Sequence, residues 1–122
     1  MKVSPIVHVE ISANDPKQAV DFYREVFGWE IEVDEHLDYW QFAAEGGPGG
    51  GFVQPNGAYE TGDVIVYLSC EDIDASLSQV EQRGGTTIVP KTEIGAGMGW
   101  FALFRDPSGN KLGLFAPGSS QD

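Results

Sequence analysis

The stretch HVEISANDPKQAVDFYREVFGWEI, residues 8–31, decides the fold of this chain because its pattern occurs twice. It can be laid over residues 65–88, IVYLSCEDIDASLSQVEQRGGTTI, at a constant offset of 57 positions, which places Asp15 on Asp72. Each copy runs from a β-branched segment through an acidic residue and an amphipathic segment to a glycine. An internal repeat of this length predicts two similar supersecondary units.

Local signals in each copy predict a strand followed by a helix. Residues 6–11 and 64–70 are rich in the β-branched residues that strands favour. Asn14 or Asp15 can cap the first helix, Asp72 can cap the second, and a glycine ends each helix. The spacing predicts an apolar stripe on the first helix formed by Ala19, Tyr23, Val26 and Phe27.

The rest of each half predicts hairpins around turn-forming residues. The paired segments are residues 39–43 with 51–54 and residues 100–105 with 111–115. Each half is therefore βαβββ, and the fold class is α+β. We expect one domain over residues 1–122, with halves at about 3–57 and 62–117 and a tail at 118–122.

Charge and cysteine usage limit the partners and the compartment. Nineteen acidic residues face seven basic ones, a net charge of −12, and such a surface repels nucleic acid and anionic membranes. We therefore expect no nucleic acid partner and no membrane partner. Cys70 is the single cysteine, no apolar run is long enough to span a bilayer, and the first residues lack a signal pattern. These features indicate a cytoplasmic protein.

With these elements in place, the chain resembles the vicinal oxygen chelate superfamily, which includes glyoxalase I, bleomycin resistance proteins, fosfomycin resistance enzymes and extradiol dioxygenases. The resemblance covers about residues 3–117. It is carried by VHVEI at 7–11, DFYREVFGW at 21–29, EDID at 71–74 and DPSGN at 106–110. The stretches GGGF at 49–52, PKTEI at 90–94 and GWF at 99–101 resemble a glyoxalase-related subgroup whose chemistry is mostly unassigned. The resemblance implies cup-shaped curved sheets that enclose a small-molecule pocket.

The resemblance also implies a divalent metal, held by His, Glu or Gln side chains from the first and last strands of each half. His8 matches the first ligand position. Ile65 and Gly113 occupy two of the others and cannot bind a metal, while Gln54 lies at the edge of the fourth strand. We therefore predict no metal and no other cofactor. The alternative is a divalent metal held by His8 and Glu10 with help from Gln54 or a partner subunit.

Strand alternation predicts that His8 and Glu10 share the face that lines the cup, because the apolar residues between and beside them belong under the helix. As neighbours in a pocket they form a candidate catalytic acid–base pair. The other interpretation is a hydrogen-bonded pair in the core. Four aromatic residues are candidate ligand-binding residues that stack on a planar molecule, or else members of an aromatic core: Trp40, Tyr67, Trp100 and Phe115.

We expect a small-molecule-binding protein of the glyoxalase and bleomycin-resistance type, and a metal-independent enzyme is one form that it can take. Two alternatives remain: a metal-dependent lyase or dioxygenase of the same superfamily, and a resistance-type protein that sequesters a drug without chemistry. Many members of the superfamily are homodimers, so the resemblance implies a homodimer here. The expected partners are therefore a small-molecule ligand and a second copy of the chain.

Overall fold

A computed structural model describes residues 3–35, 39–43 and 46–118. The chain divides into two compact units. The first unit is Val7–Ile65, and the second unit combines Met1–Ile6 with Val66–Asp122. The first unit ends at Ile65, beyond the predicted start of the second half at about residue 62. Residues 3–6 lie in the second unit, where the carbonyl of Pro5 accepts a hydrogen bond from the backbone N–H of Ser69 at 2.9 Å.

The first unit has the order strand, helix and three strands. Its sheet has the strand order β2-β3-β4-β1, in which β1 and β4 are parallel and the other neighbours are antiparallel. The elements are β1 (Ile6–Ser12), α1 (Pro16–Phe27), β2 (Glu30–Asp34), β3 (Tyr39–Ala43) and β4 (Gly49–Val53).

The second unit repeats this arrangement. Its strand order is β5-β8-β7-β6, with β5 parallel to β8 and the other neighbours antiparallel. The elements are β5 (Val64–Ser69), α2 (Ile73–Gln82), β6 (Thr86–Glu93), β7 (Trp100–Arg105) and β8 (Lys111–Ala116). Both units are therefore βαβββ, and the predicted α+β fold class is confirmed.

The two helices begin with the same cap at the predicted offset. The Asp15 carboxylate accepts a hydrogen bond from the backbone N–H of Gln18 at 3.2 Å, and the Asp72 carboxylate accepts one from that of Ala75 at 3.1 Å. Each bond satisfies one of the N–H groups that a helix start leaves without an intrahelical acceptor. Asp15, and not Asn14, is therefore the cap of α1.

The helix ends differ between the units. Gly28 follows α1 in the left-handed conformation, with φ at 71°. Its partner by the offset is Gly85, but in the second unit the left-handed residue is Gly84, with φ at 96°. Gly85 serves close packing, because a Cβ there would lie 2.6 Å from the side chain of Val80.

Each unit has its own hydrophobic core between the helix and one face of the strands. Buried residues of the first core are Ala13, Val20, Ile31, Phe42 and Phe52, and those of the second are Ile73, Leu77, Ala102, Phe104, Leu114 and Ala116. The predicted stripe on α1 is partly wrong, since Ala19 and Tyr23 pack against the core but Val26 and Phe27 are 57% and 61% exposed. In the described part of the chain, neither helix is long and apolar enough to cross a membrane.

Candidate functional site

Strand β1 separates polar from apolar side chains as predicted. Val9 and Ile11 pack against the core under α1. Because successive side chains of a strand alternate between its faces, His8, Glu10 and Ser12 lie on the opposite face. The core therefore decides which face of β1 presents the polar residues.

The carboxylate of Glu10 is the centre of a polar cluster in the first unit. Glu10 is 5% exposed and is the only charged residue that is buried among the described residues. Its Oε1 lies 2.5 Å from Nε2 of His8 and also accepts a hydrogen bond from the hydroxyl of Tyr39. Nε2 of His8 lies 3.0 Å from the same hydroxyl. The three side chains thus form one hydrogen-bonded group.

Gly51 makes room for this group. The register of the sheet aligns Glu10 on β1 with Gly51 on β4, and Gly51 with Gln41 on β3. A Cβ at Gly51 would overlap the phenol of Tyr39. The ring of Tyr39, on β3, therefore passes over Gly51, on β4, and reaches Glu10 on β1, although β3 and β1 are not neighbouring strands.

The surroundings keep the hydroxyl of Tyr39 protonated. Burial raises the pKa of Tyr39 far above its ordinary value, and the negative charge of Glu10 and the hydrogen bond to it raise it further. A smaller contribution comes from Tyr59, a buried residue of the segment between β4 and β5. Tyr39 consequently acts as a hydrogen-bond donor to the carboxylate over the ordinary pH range.

Two buried polar atoms on this face of β1 have no hydrogen-bond partner among the described residues: Oε2 of Glu10 and Oγ of Ser12. Residues two apart on one face of a strand lie about 6 to 7 Å apart at the backbone, so the two atoms belong to one short stretch of this face. Buried polar atoms are ordinarily hydrogen-bonded. The two atoms are therefore the places where the polar cluster can accept further contacts.

The described residues do not fit the divalent metal that the family resemblance implies. No group of three or more His, Cys, Asp or Glu side chains able to hold a metal ion occurs among them. Ile65 occupies one expected ligand position and is a buried apolar residue. Gly113 occupies another, and the ring of Tyr67 fills the space into which a side chain at Gly113 would project. Gln54 is exposed and lies beyond the end of β4.

Two of the four candidate aromatic residues lie on the face opposite the helix, and two do not. Tyr67 is aligned with Gly113, and Phe115, two residues further along β8, shares that face. Of the two interpretations of Trp40 and Trp100, the packing supports membership of an aromatic core, and ligand stacking on the face of Glu10 and Tyr67 is wrong. Trp40 packs against the core under α1 and Trp100 against the core under α2, where Nζ of Lys91 lies 4.6 Å from its ring centroid.

Sequence reasoning missed Tyr39 and Ser12. The sequence does contain a signal for Tyr39. Trp40 and the core residue Phe42 are two positions apart on one strand and share a face, so Tyr39 must lie on the opposite face. Ser12 continues the alternation of His8 and Glu10 by one further step. The contact between Tyr39 and Glu10 joins residues 29 positions apart, and no local pattern shows it.

Comparison with protein families identifies the class to which this chain belongs. The sequence profile of the Glyoxalase/Bleomycin resistance protein/Dioxygenase superfamily matches residues 5–114. The chain belongs to this superfamily, and the match spans both βαβββ units. The resemblance inferred from the sequence motifs is thereby confirmed.

Curated relatives carry glyoxylase names. The chain is 26% identical over 109 residues to a glyoxylase-like domain-containing protein of Didymella fabae, with 84% of this chain and 85% of the relative covered. It is 28% identical over 114 residues to a putative glyoxylase of Mycobacterium bovis, with 88% of this chain covered. The match covers 43% of that relative, so the chain spans less than half of its length.

Solved structures share the fold at low sequence identity. The crystal structure of methylmalonyl-CoA epimerase from Mycobacterium tuberculosis is similar with a TM-score of 0.69 and 16% identity, covering 94% of this chain and 89% of the epimerase. A hypothetical protein from Bacillus halodurans is similar with a TM-score of 0.67 and 14% identity, covering 94% and 95%. At such identities these likenesses establish the fold alone.

Proposed function

We propose that the chain binds a small organic molecule on the face of β1 that carries His8, Glu10 and Ser12, and that it does so without a metal. The observation that carries this proposal is the carboxylate of Glu10, which is buried and has one oxygen bonded within the cluster and the other without a partner among the described residues. A ligand donor at the second oxygen would complete its hydrogen bonding.

The neighbours of Glu10 suit a binding site. Tyr39 holds Oε1 from one side and so leaves the second oxygen for the ligand. The side chain of His8 is 32% exposed while that of Glu10 is 7% exposed, so His8 is the member of the pair that a ligand in solution meets first. Preorganised polar groups of this kind orient small molecules in protein sites.

A small-molecule fragment screen followed by NMR tests the proposal. We expect hits whose binding perturbs His8, Glu10 and Tyr39, and we expect His8→Ala and Glu10→Gln to weaken these hits about tenfold or more. Asp21→Asn, on the exposed surface of α1, is the matched control and should leave affinity unchanged. A screen whose hits all bind elsewhere, or bind equally well to both variants, would refute the proposal.

A catalytic role is a second candidate, favoured by the 2.5 Å contact between Nε2 of His8 and Oε1 of Glu10. An imidazole and a carboxylate in contact can move a proton to or from a bound molecule, as general acid–base catalysis requires. In this role His8 and Glu10 are the catalytic residues of a metal-independent enzyme. Incubating the identified ligand with the protein in D₂O separates the roles: exchange of a ligand C–H that needs Glu10 indicates catalysis, and unchanged ligand indicates a binding protein.

We also propose that the chain forms a homodimer and acts in the cytoplasm. The first unit leaves Phe22, Val26 and Phe27 of α1 between 51% and 61% exposed, and an exposed apolar cluster is typical of a surface that a partner covers. The net charge of −12 opposes self-association, though salt screens such repulsion. The single Cys70 supports a reducing compartment, which cell fractionation would test.

A further inference from the structure

The unpartnered oxygen of Glu10 restricts the kind of ligand that fits. Glu10 is 5% exposed, and an ionised carboxylate accepts hydrogen bonds but donates none. Its Oε1 is occupied by Tyr39 and His8, and no described residue donates to its Oε2. A ligand that contacts Oε2 must therefore bring a hydrogen-bond donor of its own.

Charge restricts the ligand further. The hydroxyl of Tyr39 is neutral because its pKa is raised, so it supplies a hydrogen bond to Glu10 but no positive charge. His8 contacts Oε1, and no lysine or arginine of the described residues forms an ion pair with Glu10. The chain as a whole carries −12, and seven basic residues face nineteen acidic ones. An anionic molecule would approach against this field, whereas a cationic one would be attracted by it and would offset the buried negative charge.

We infer that Oε2 of Glu10 binds a protonated nitrogen group of an organic cation, such as an amidinium or ammonium group. The inference rests on the proposed function and names the ligand class for the same site. Charge-assisted hydrogen bonds to a buried carboxylate are stronger than neutral ones. Oγ of Ser12, two residues along the same face and also without a partner among the described residues, can accept a second N–H of the same group.

Three planar molecules of nearly equal shape test the inference: benzamidine, which is cationic, benzamide, which is neutral, and benzoate, which is anionic. We expect NMR titration of the whole chain to show benzamidine binding at His8, Glu10 and Tyr39 about tenfold or more tightly than benzamide, with no saturable binding of benzoate. The titrations are repeated at about 1 M salt, where surface attraction is screened and a direct contact persists.

Two variants separate a direct contact from general attraction. Glu10→Gln removes the charge while keeping the shape, and we expect it to abolish the preference for benzamidine over benzamide. Glu25→Gln removes one exposed charge on α1 and should leave the preference intact. A melting temperature close to that of the unaltered protein confirms that each variant is folded.

The outcomes distinguish this inference from the proposed function. If benzamide or benzoate binds at the cluster as tightly as benzamidine, the cation inference is overturned and the binding function stands. If benzamidine binds elsewhere or not at all, the inference is also overturned, and the broader fragment screen then decides the binding function. If both variants lose the preference equally, the attraction is general and the direct contact with Glu10 is refuted.

Discussion

The backbone of Gly51 lies so close to the ring of Tyr39 that a Cβ at this position would overlap the phenol. Gly51 is also the register partner of Glu10 on the adjacent strand. The glycine is therefore the reason that a tyrosine on β3 can cross β4 and donate a hydrogen bond to a carboxylate on β1. The polar cluster therefore requires a residue without a side chain at position 51, in addition to the three side chains that form it.

Gly51→Ala should displace Tyr39 from Glu10 and lower the free energy of unfolding by about 1 to 3 kcal/mol, since an added methyl group in a packed site forces its neighbours to move. In a Tyr39→Ala background the same change should cost much less, because the overlapping ring is gone. Urea unfolding of the four proteins gives the coupling free energy of the two positions. If the free-energy costs of the two substitutions simply add, the packing of the Tyr39 ring over Gly51 is contradicted.

Tyr39→Phe should make stability less sensitive to alkaline pH. Burial, and after it the charge of Glu10, raises the pKa of Tyr39 above its ordinary value of 10.0. The folded chain thus keeps a phenolic proton that the unfolded chain loses above about pH 10, so the stabilisation present below that pH declines as the pH rises. Urea unfolding from about pH 8 to about pH 11 measures the decline. Equal declines in the two proteins would show that Tyr39 does not contribute.

Asp15→Ala and Asp72→Ala should each lower the free energy of unfolding by about 0.5 to 2 kcal/mol, because each removes the side-chain acceptor at a helix start. Asp21→Ala is a suitable control. Asp21 lies within α1 and forms a 3.5 Å surface ion pair with Lys17, a kind of contact that contributes about 0 to 1 kcal/mol. Thermal or urea unfolding compares the three variants, and similar losses in all of them would argue against a capping role.

We expect ligand affinity to survive treatment of the protein with a chelator. A catalytic divalent site needs about three protein ligands, and the described residues hold no such group. Elemental analysis of the purified protein, with zinc, nickel, iron and manganese measured, accompanies the titration. About one tightly bound metal per chain, lost in His8→Ala, would reverse the expectation and favour a metal-dependent lyase or dioxygenase.

Light scattering should report twice the monomer mass, with the dimer fraction rising as salt increases. The reason is that the net charge of −12 repels between copies, and salt reduces this repulsion more than it affects apolar contacts. Measurements over a range of protein concentrations at low and high salt give the dissociation constant. A monomer at every concentration and salt level would exclude the homodimer.

The elements that sequence analysis predicted well depend on local chemistry. The caps at Asp15 and Asp72 each join a side chain to a backbone N–H three residues later, and a contact of this kind is visible in a short segment. The face assignment of His8 and Glu10 followed from simple alternation with apolar neighbours. These local rules were sufficient for two βαβββ units and for one polar face.

The predictions for Trp40 and Trp100 failed because each lies next to another aromatic residue in the sequence. Trp40 follows Tyr39, and Trp100 precedes Phe101, so either member of each aromatic pair can face the helix. The core under each helix decided the choice, since both tryptophans pack there. Spacing also predicts Val26 and Phe27 on a core stripe, but both lie at the C-terminal end of α1 and are exposed.

By itself, the sequence determined the repeat, the helix starts, the acidic charge and the polar face of β1, because each depends on residue types close together in the chain. The tertiary structure alone decided that Tyr39 joins Glu10, that Gly51 leaves the space for it, and that Oε2 of Glu10 is buried without a described partner. These features require the register of three strands, and that register comes from burying side chains from distant segments in one core.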